Sequence, residues 1–151
     1  MSDEAVPPPP AGFKPSARGP YTTHNGPFFH RIEDDRLQHA FFVLKRHCNS
    51  LGIVHGGMLS TFMDGVLANA VGRETGQASV TVHLSLDFLS MARAGDWVYG
   101  DGVVTRKTKD LVFVEGRIHT GSRDVMRANG IFKPVHRRAD QPAPGAKPRP
   151  D

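Results

Sequence analysis

Residues 56–72 carry the one long helical period of this chain, and the other periodic segments alternate in the manner of strands. Met58, Leu59, Phe62, Met63, Val66, Leu67, Ala70 and Val71 recur at helical spacing and form a broad apolar stripe along one side. A lone helix with such a stripe has to bury it against a sheet. The helix opens at His55-Gly56-Gly57 and is expected to end near Gly72, with Gly76 in the loop beyond. A second line, Gly57, Thr61, Asp64 and Ala68, is small and polar and holds a carboxylate where a carboxylate is expensive. Gly65 costs about 1 kcal/mol relative to Ala inside a helix. Such a cost suggests a backbone or ligand passing close, with tight helix–sheet packing an equal explanation.

Ahead of the helix, segments 28–32 and 37–46 read as two strands joined by the turn Glu33-Asp34-Asp35. Behind it come four more, 79–89, 96–106, 111–120 and 124–135, separated by short turns that predict an antiparallel meander. In the first of these Val80, Val82, Leu84, Leu86 and Phe88 alternate with Thr81, His83, Ser85 and Asp87. One helix against an antiparallel sheet is an α+β fold.

The start of the helix points to chemistry. Two glycines leave the first backbone N–H groups open, where a helix N-terminus favours negative charge. Gly57 and Asp64 are seven residues apart, so they lie roughly 10 Å apart along the axis. An oxyanion donor and a general base must both come within about 3 Å of one reacting group. If both serve one substrate, Gly57 of one subunit must face Asp64 of another across a two-fold axis. The spacing therefore predicts a composite site in a homodimer.

The chain of 151 residues is expected to hold a single folded domain at 21–136. Residues 1–20, with Pro7 to Pro10, Pro15 and Pro20, are expected to be a disordered lead, and 137–151 a basic, Pro-rich disordered tail. That tail holds two of the four excess positive charges, which weakens any case for a nucleic-acid surface. Cys48 is the only cysteine, so no intrachain disulfide is possible and a reducing compartment is expected. No basic-then-apolar leader opens the chain, and no apolar run approaches the ~20 residues of a membrane span. The expected location is cytoplasmic.

Several of these residues together resemble the hotdog-fold acyl-coenzyme A thioesterases of the phenylacetate-pathway (PaaI-like) type. The resemblance runs over about residues 27–134. It rests on Asn49 six residues before His55-Gly56-Gly57, on Asp64, and on Val80-Thr-Val-His-Leu-Ser-Leu-Asp-Phe-Leu. It continues through Ala94-Gly-Asp and Leu111-Val-Phe-Val-Glu-Gly to Ala128-Asn-Gly-Ile-Phe-Lys. The resemblance implies a strongly curved antiparallel sheet wrapped around one long helix, paired into dimers that often assemble further into homotetramers. It implies an acyl- or aryl-acyl-coenzyme A substrate and sites between subunits. No metal and no bound redox cofactor are expected, coenzyme A entering only as part of the substrate.

By the same resemblance Asp64 activates water or attacks the thioester carbonyl, and the Gly57 N–H is the oxyanion donor. Asn49 and His55 orient the carbonyl or assist the leaving thiol, and Thr81 holds the attacking water beside the carboxylate. Strand period puts Thr81 on the polar face with His83, so its closeness to Asp64 is implied by the resemblance alone. Gly56, Val82 and His83 are expected to touch the substrate. Arg106, Lys107, Thr108 and Lys109, the densest basic cluster in the domain, match the turn near the nucleotide.

Plainer readings stand beside these. In these Asp64 is a buried carboxylate capping another segment, the less favoured reading for it, while His55 is a loop anchor, Asn49 a turn residue, and the basic turn a solvated hairpin. Two other functions compete with hydrolysis. One is a non-catalytic acyl-coenzyme A-binding or regulatory module on the same fold, and the other a hydratase on a related fold, for which no motif matches.

Overall fold

The structure, a computed structural model, describes residues 4–136. Its elements are β1 (Lys14–Pro15), α1 (Pro20–Asn25), β2 (Phe28–Glu33), β3 (Arg36–Phe42), α2 (Gly56–Thr75), β4 (Ala78–Phe88), β5 (Trp97–Lys107), β6 (Val112–His119) and β7 (Asp124–Val135), with a 3₁₀ turn at Lys45–His47. The seven strands form one antiparallel sheet in the order β1-β2-β3-β5-β6-β7-β4, with α2 packed on it. This is the hotdog arrangement, and the expected α+β class holds. None of the described helices is long and apolar enough to cross a membrane.

The apolar stripe of α2 makes the core. Met58, Leu59, Phe62, Met63, Val66, Leu67 and Val71 are buried against Phe41, Val98, Val114, Met126 and Phe132 of the sheet. Each large apolar side chain so buried contributes about 1.5–3 kcal/mol relative to exposure. The helix sits deep because the sheet beneath it lacks side chains. A Cβ on Gly116 would lie 2.6 Å from Leu67 Cδ2 and 2.7 Å from Met63 Sδ, and one on Gly100 would lie 2.8 Å from Val66 Cγ2. Tight packing therefore involves glycines of the strands and not Gly65, where an added Cβ would meet nothing within 4 Å. The helix also runs past Gly72. It ends when Gly76 turns left-handed at φ 68°, its N–H closing on the Gly72 carbonyl.

Three expectations need correction. The four strands after the helix are not one meander. β5, β6 and β7 are, but β4 pairs with β7 and forms an edge of the sheet. The connection out of β4 is no hairpin: it is tied to the far side of the molecule, where Val54 N–H donates to the Ala92 carbonyl and Gly95 N–H to the Val43 carbonyl. β3 stops at Phe42 and does not reach residue 46, because His47 turns inward. Its Nδ1 accepts from the Leu44 N–H and its Nε2 donates to the Asn25 carbonyl.

The lead is the third. From Glu4 onward it is laid on the sheet, β1 pairing with β2 and Phe13 buried beside Phe29 and Ala40 on the face away from α2. Arg31 stacks over the Phe13 ring at 4.7 Å, and the Glu4 carboxylate accepts from the Lys45 and Arg46 N–H groups. One aromatic anchor outweighs the proline content. Residues 137–151, expected to be disordered, lie outside the described residues.

β4 is eleven residues long and its outer edge pairs with no other strand among the described residues. Val80 is 50% exposed, and Val82 and Phe88 are each 55% exposed. A long, apolar, open edge is a template for pairing with another strand.

Candidate active site

Asp64 projects from the polar line of α2 and is half-buried. Thr81 Oγ1 donates to its Oδ1 at 2.6 Å. Strict alternation would turn Thr81 away from the helix, with His83. A bulge reverses this. Along β4 the register passes from Thr81↔Phe132 directly to His83↔Ile131, so Val82 has no partner of its own. One extra residue shifts the facing of everything before it. Leu84 and Leu86 therefore pack on the core after the bulge, while before it Thr81 takes the helix side and Val80 the outside.

The helix start differs from expectation in one respect. Its glycines do not leave both N–H groups open. The Gly57 N–H donates to His55 Nδ1 at 2.8 Å, which makes His55 the N-cap and leaves the proton of its neutral ring on Nε2. A Cβ on Gly57 would sit 2.9 Å from that nitrogen. The Gly56 N–H has no such partner among the described residues, and a Cβ at Gly56 would come within 3.3 Å of the Phe88 ring. Asn49 is a turn residue here: its Oδ1 accepts from the Leu51 N–H at 2.9 Å, and its carbonyl from the Gly52 N–H.

Val82 and His83 are exposed on the open edge strand. The turn Arg106-Lys107-Thr108-Lys109 lies by the far end of α2, Lys107 Nζ being 3.4 Å from Glu74, with Thr108 closing the hairpin on Leu111. Eighteen residues of helix separate Gly56 from Glu74, roughly 27 Å. One chain thus joins Asp64 to Thr81 and His55 to Gly57. It does not bring those two pairs together, nor either of them to the basic turn.

A cleft of about 340 Å³ opens beside Asp64, between α2, β2, β3 and the segment 16–22. Phe28, Phe62 and Val66 give it apolar walls, and Tyr21 OH meets Thr61 Oγ1 at 2.9 Å where α1 touches α2. Arg18 and His39 line it as well. His39 is only 5% exposed, and burial, reinforced by the charges of Arg18 and His30, pushes its pKa down to about 3. The ring is neutral at pH 7, and its Nε2 has no hydrogen-bond partner among the described residues. Sequence reasoning missed both residues. Arg18 fell within the presumed disordered lead. His39 shares a strand face with Phe41 at a spacing of two, a signal that was available. No three His, Cys, Asp or Glu side chains among the described residues cluster closely enough to hold a metal ion.

A family model for the thioesterase superfamily matches residues 51–126. The chain belongs to the thioesterase superfamily. A Pseudomonas aeruginosa protein provisionally named an esterase is 42% identical to it over 127 residues, covering 82% of this chain and 95% of that one. A solved Ralstonia eutropha protein, provisionally named a thioesterase and related to phenylacetic acid degradation, is 26% identical with a TM-score of 0.68, over 78% of this chain and 92% of its own. A Bacillus halodurans protein crystallised with CoA has the same fold, with a TM-score of 0.66 at 23% identity over 72% of this chain and 74% of that one. Within this thioesterase-superfamily chain, the matched span contains His55, Gly56, Gly57, Asp64, Thr81, Val82, His83 and the basic turn. Asn49, and with it Arg18, Phe28 and His39 of the opposite cleft wall, lies outside it.

Proposed function

We propose that this protein hydrolyses acyl- or aryl-acyl-coenzyme A thioesters to free acid and coenzyme A, at sites shared by two copies of the chain. The observation that carries the reading is the Thr81–Asp64 hydrogen bond, with Asp64 on the lining of a cleft that has apolar walls. A hydroxyl donating to one carboxylate oxygen orients the group and leaves the other oxygen to act on water. In the proposed reaction Asp64 takes a proton from a water molecule as that water attacks the thioester carbonyl carbon. The tetrahedral oxyanion collapses, the C–S bond breaks, and the departing thiolate of coenzyme A takes up the proton that Asp64 had removed from water, which restores the carboxylate.

The oxyanion needs a donor that Asp64's own helix cannot bring close, so it comes from the other copy. Because His55 already occupies the Gly57 N–H, the proposal assigns this contact to the Gly56 N–H, with the His55–Gly57 bond rigidifying the helix start. The open apolar edge of β4 is the surface on which the two copies pair, which brings Val82 and His83 to the seam beside the substrate. Asn49 shapes the loop that carries His55. Arg106, Lys107 and Lys109 are exposed, and among the described residues only the weak Lys107–Glu74 pair engages them, so they are suited to the phosphates of coenzyme A.

The test is release of free thiol from a panel of aryl-acetyl, short, medium and long acyl-coenzyme A compounds. Asp64→Asn removes the base and is expected to lower kcat by about 10²–10⁴. Thr81→Val, which keeps the shape and loses the donor, costs less. A wild-type rate in Asp64→Asn removes that residue from the mechanism. Tight binding of the whole panel without turnover, by well-folded protein, replaces the hydrolase with a binding module.

A further inference from the structure

The cleft beside Asp64 is also lined by a cation, Arg18, and by the neutral imidazole of His39. His30 and His39 face each other across β2 and β3, His30 Nδ1 lies 2.7 Å from Ser16 Oγ, and Arg18 lines the cleft with His39. Lys14 adds a further charge close to His30. Among the described residues Arg18 is exposed at the cleft and forms no ion pair and no hydrogen bond, and the protein around it lowers its pKa by desolvation. Asp64 is the one described carboxylate on the cleft lining, and it is engaged with Thr81. Phe28 and Phe62, stacked at 5.7 Å, and Val66 line the same cleft.

An acyl group in this cleft has apolar walls, a guanidinium, and an imidazole whose Nε2 has no partner among the described residues to contact. A methyl terminus there would make no use of the unpaired guanidinium and would displace its water. A carboxylate would accept a charge-assisted, bidentate pair from the guanidinium fork.

We infer that the acyl group carries an acidic distal end: the substrate is an ω-carboxyacyl thioester whose terminal carboxylate is received by Arg18, with His39 beside it. This rests on the thioester reading above and names the substrate class of that same site. Arg18 and His39 are specificity residues here. They stand apart from the reacting carbonyl.

The experiment compares pairs of equal length that differ only at the distal end: succinyl- against butanoyl-, adipoyl- against hexanoyl-, and suberoyl- against octanoyl-coenzyme A. For at least one length the ratio of kcat/KM is expected to favour the carboxyacyl compound by about tenfold or more, the value of one charged hydrogen bond. Arg18→Gln collapses that ratio through KM, and Arg18→Lys, which keeps the charge, retains part of it. A ratio of one or less at every length, or a preference indifferent to Arg18→Gln, overturns the inference. If the methyl-ended compounds alone are hydrolysed, the thioesterase stands and the carboxylate subsite falls. If no thioester is turned over, the hydrolase reading falls, and calorimetric binding of free adipate against hexanoate decides the subsite. Adipate bound in preference, and lost in Arg18→Gln, upholds it; adipate bound no better than hexanoate ends it.

Discussion

Acidification is expected to destabilise this protein through His39 by an amount that can be worked out in advance. The imidazole is 5% exposed on the helix side of β3 and its pKa is held at about 3, first by burial and then by Arg18 and His30. In the unfolded chain it regains the ordinary value near 6.5. Between these two values the unfolded state binds one proton that the folded state refuses. Stability contributed by the neutral ring is therefore present above pH 6.5 and is lost as pH falls toward 3. The slope is about 1.4 kcal/mol per pH unit, or about 2–3 kcal/mol between pH 6 and pH 4. His30, His47 and His119 are also lowered by burial and push in the same direction, so the whole-protein curve is steeper than this one contribution.

His39→Phe isolates it. The substitution removes an unpaired buried nitrogen and replaces it with a ring of similar size, so at pH 7.5 the two proteins are expected to lie within about 1 kcal/mol. Urea unfolding followed by Trp97 fluorescence, from pH 7.5 to 4.5 at fixed protein concentration and ionic strength, gives the difference curve. Other groups titrate in both proteins and cancel. The variant is expected to gain on the wild type by about 1.4 kcal/mol for each unit below pH 6. Parallel curves would show that His39 titrates normally, and the account of a sealed, neutral imidazole in the cleft wall would be wrong.

Two further outcomes follow from the fold. The proposed pairing of two copies through β4 predicts that Val80→Asp combined with Val82→Asp, which sets carboxylates against one another across that edge at a cost of several kcal/mol, about 3, gives monomer by sedimentation at a concentration where the unmodified protein gives dimer, and loses the proposed thiol release. Gly116→Ala forces a methyl to within 2.6 Å of Leu67 Cδ2, against side chains that are fully buried, and should lower stability by about 1–3 kcal/mol in the same urea assay.

Much of this molecule was legible in its residues because the relevant physics is local. The stripe from Met58 to Val71 specifies a helix and the face it buries, since a period of 3.6 has no other use for apolar residues at that spacing. Alternation and turn residues specify β5, β6 and β7 to within a residue or two. The candidate chemistry was legible in part. Asp64 is conspicuous as a carboxylate on an otherwise apolar helix, and the distance along one helix argues for two copies.

What tertiary structure decided is non-local. Strand order depends on where connections are anchored, so β4 leaves the meander to pair with β7. The direction of Thr81 depends on a single unpaired residue at Val82, which alternation cannot reveal because the strand reads the same with or without it. The Gly57 N–H is occupied by His55, a bond between neighbours that rests on a rotamer. Arg18 enters the cleft wall only because Phe13 and β1 dock the lead onto the sheet. Sequence periodicity states which faces want burial; which charges end up sharing a cavity is settled when distant segments close on one another.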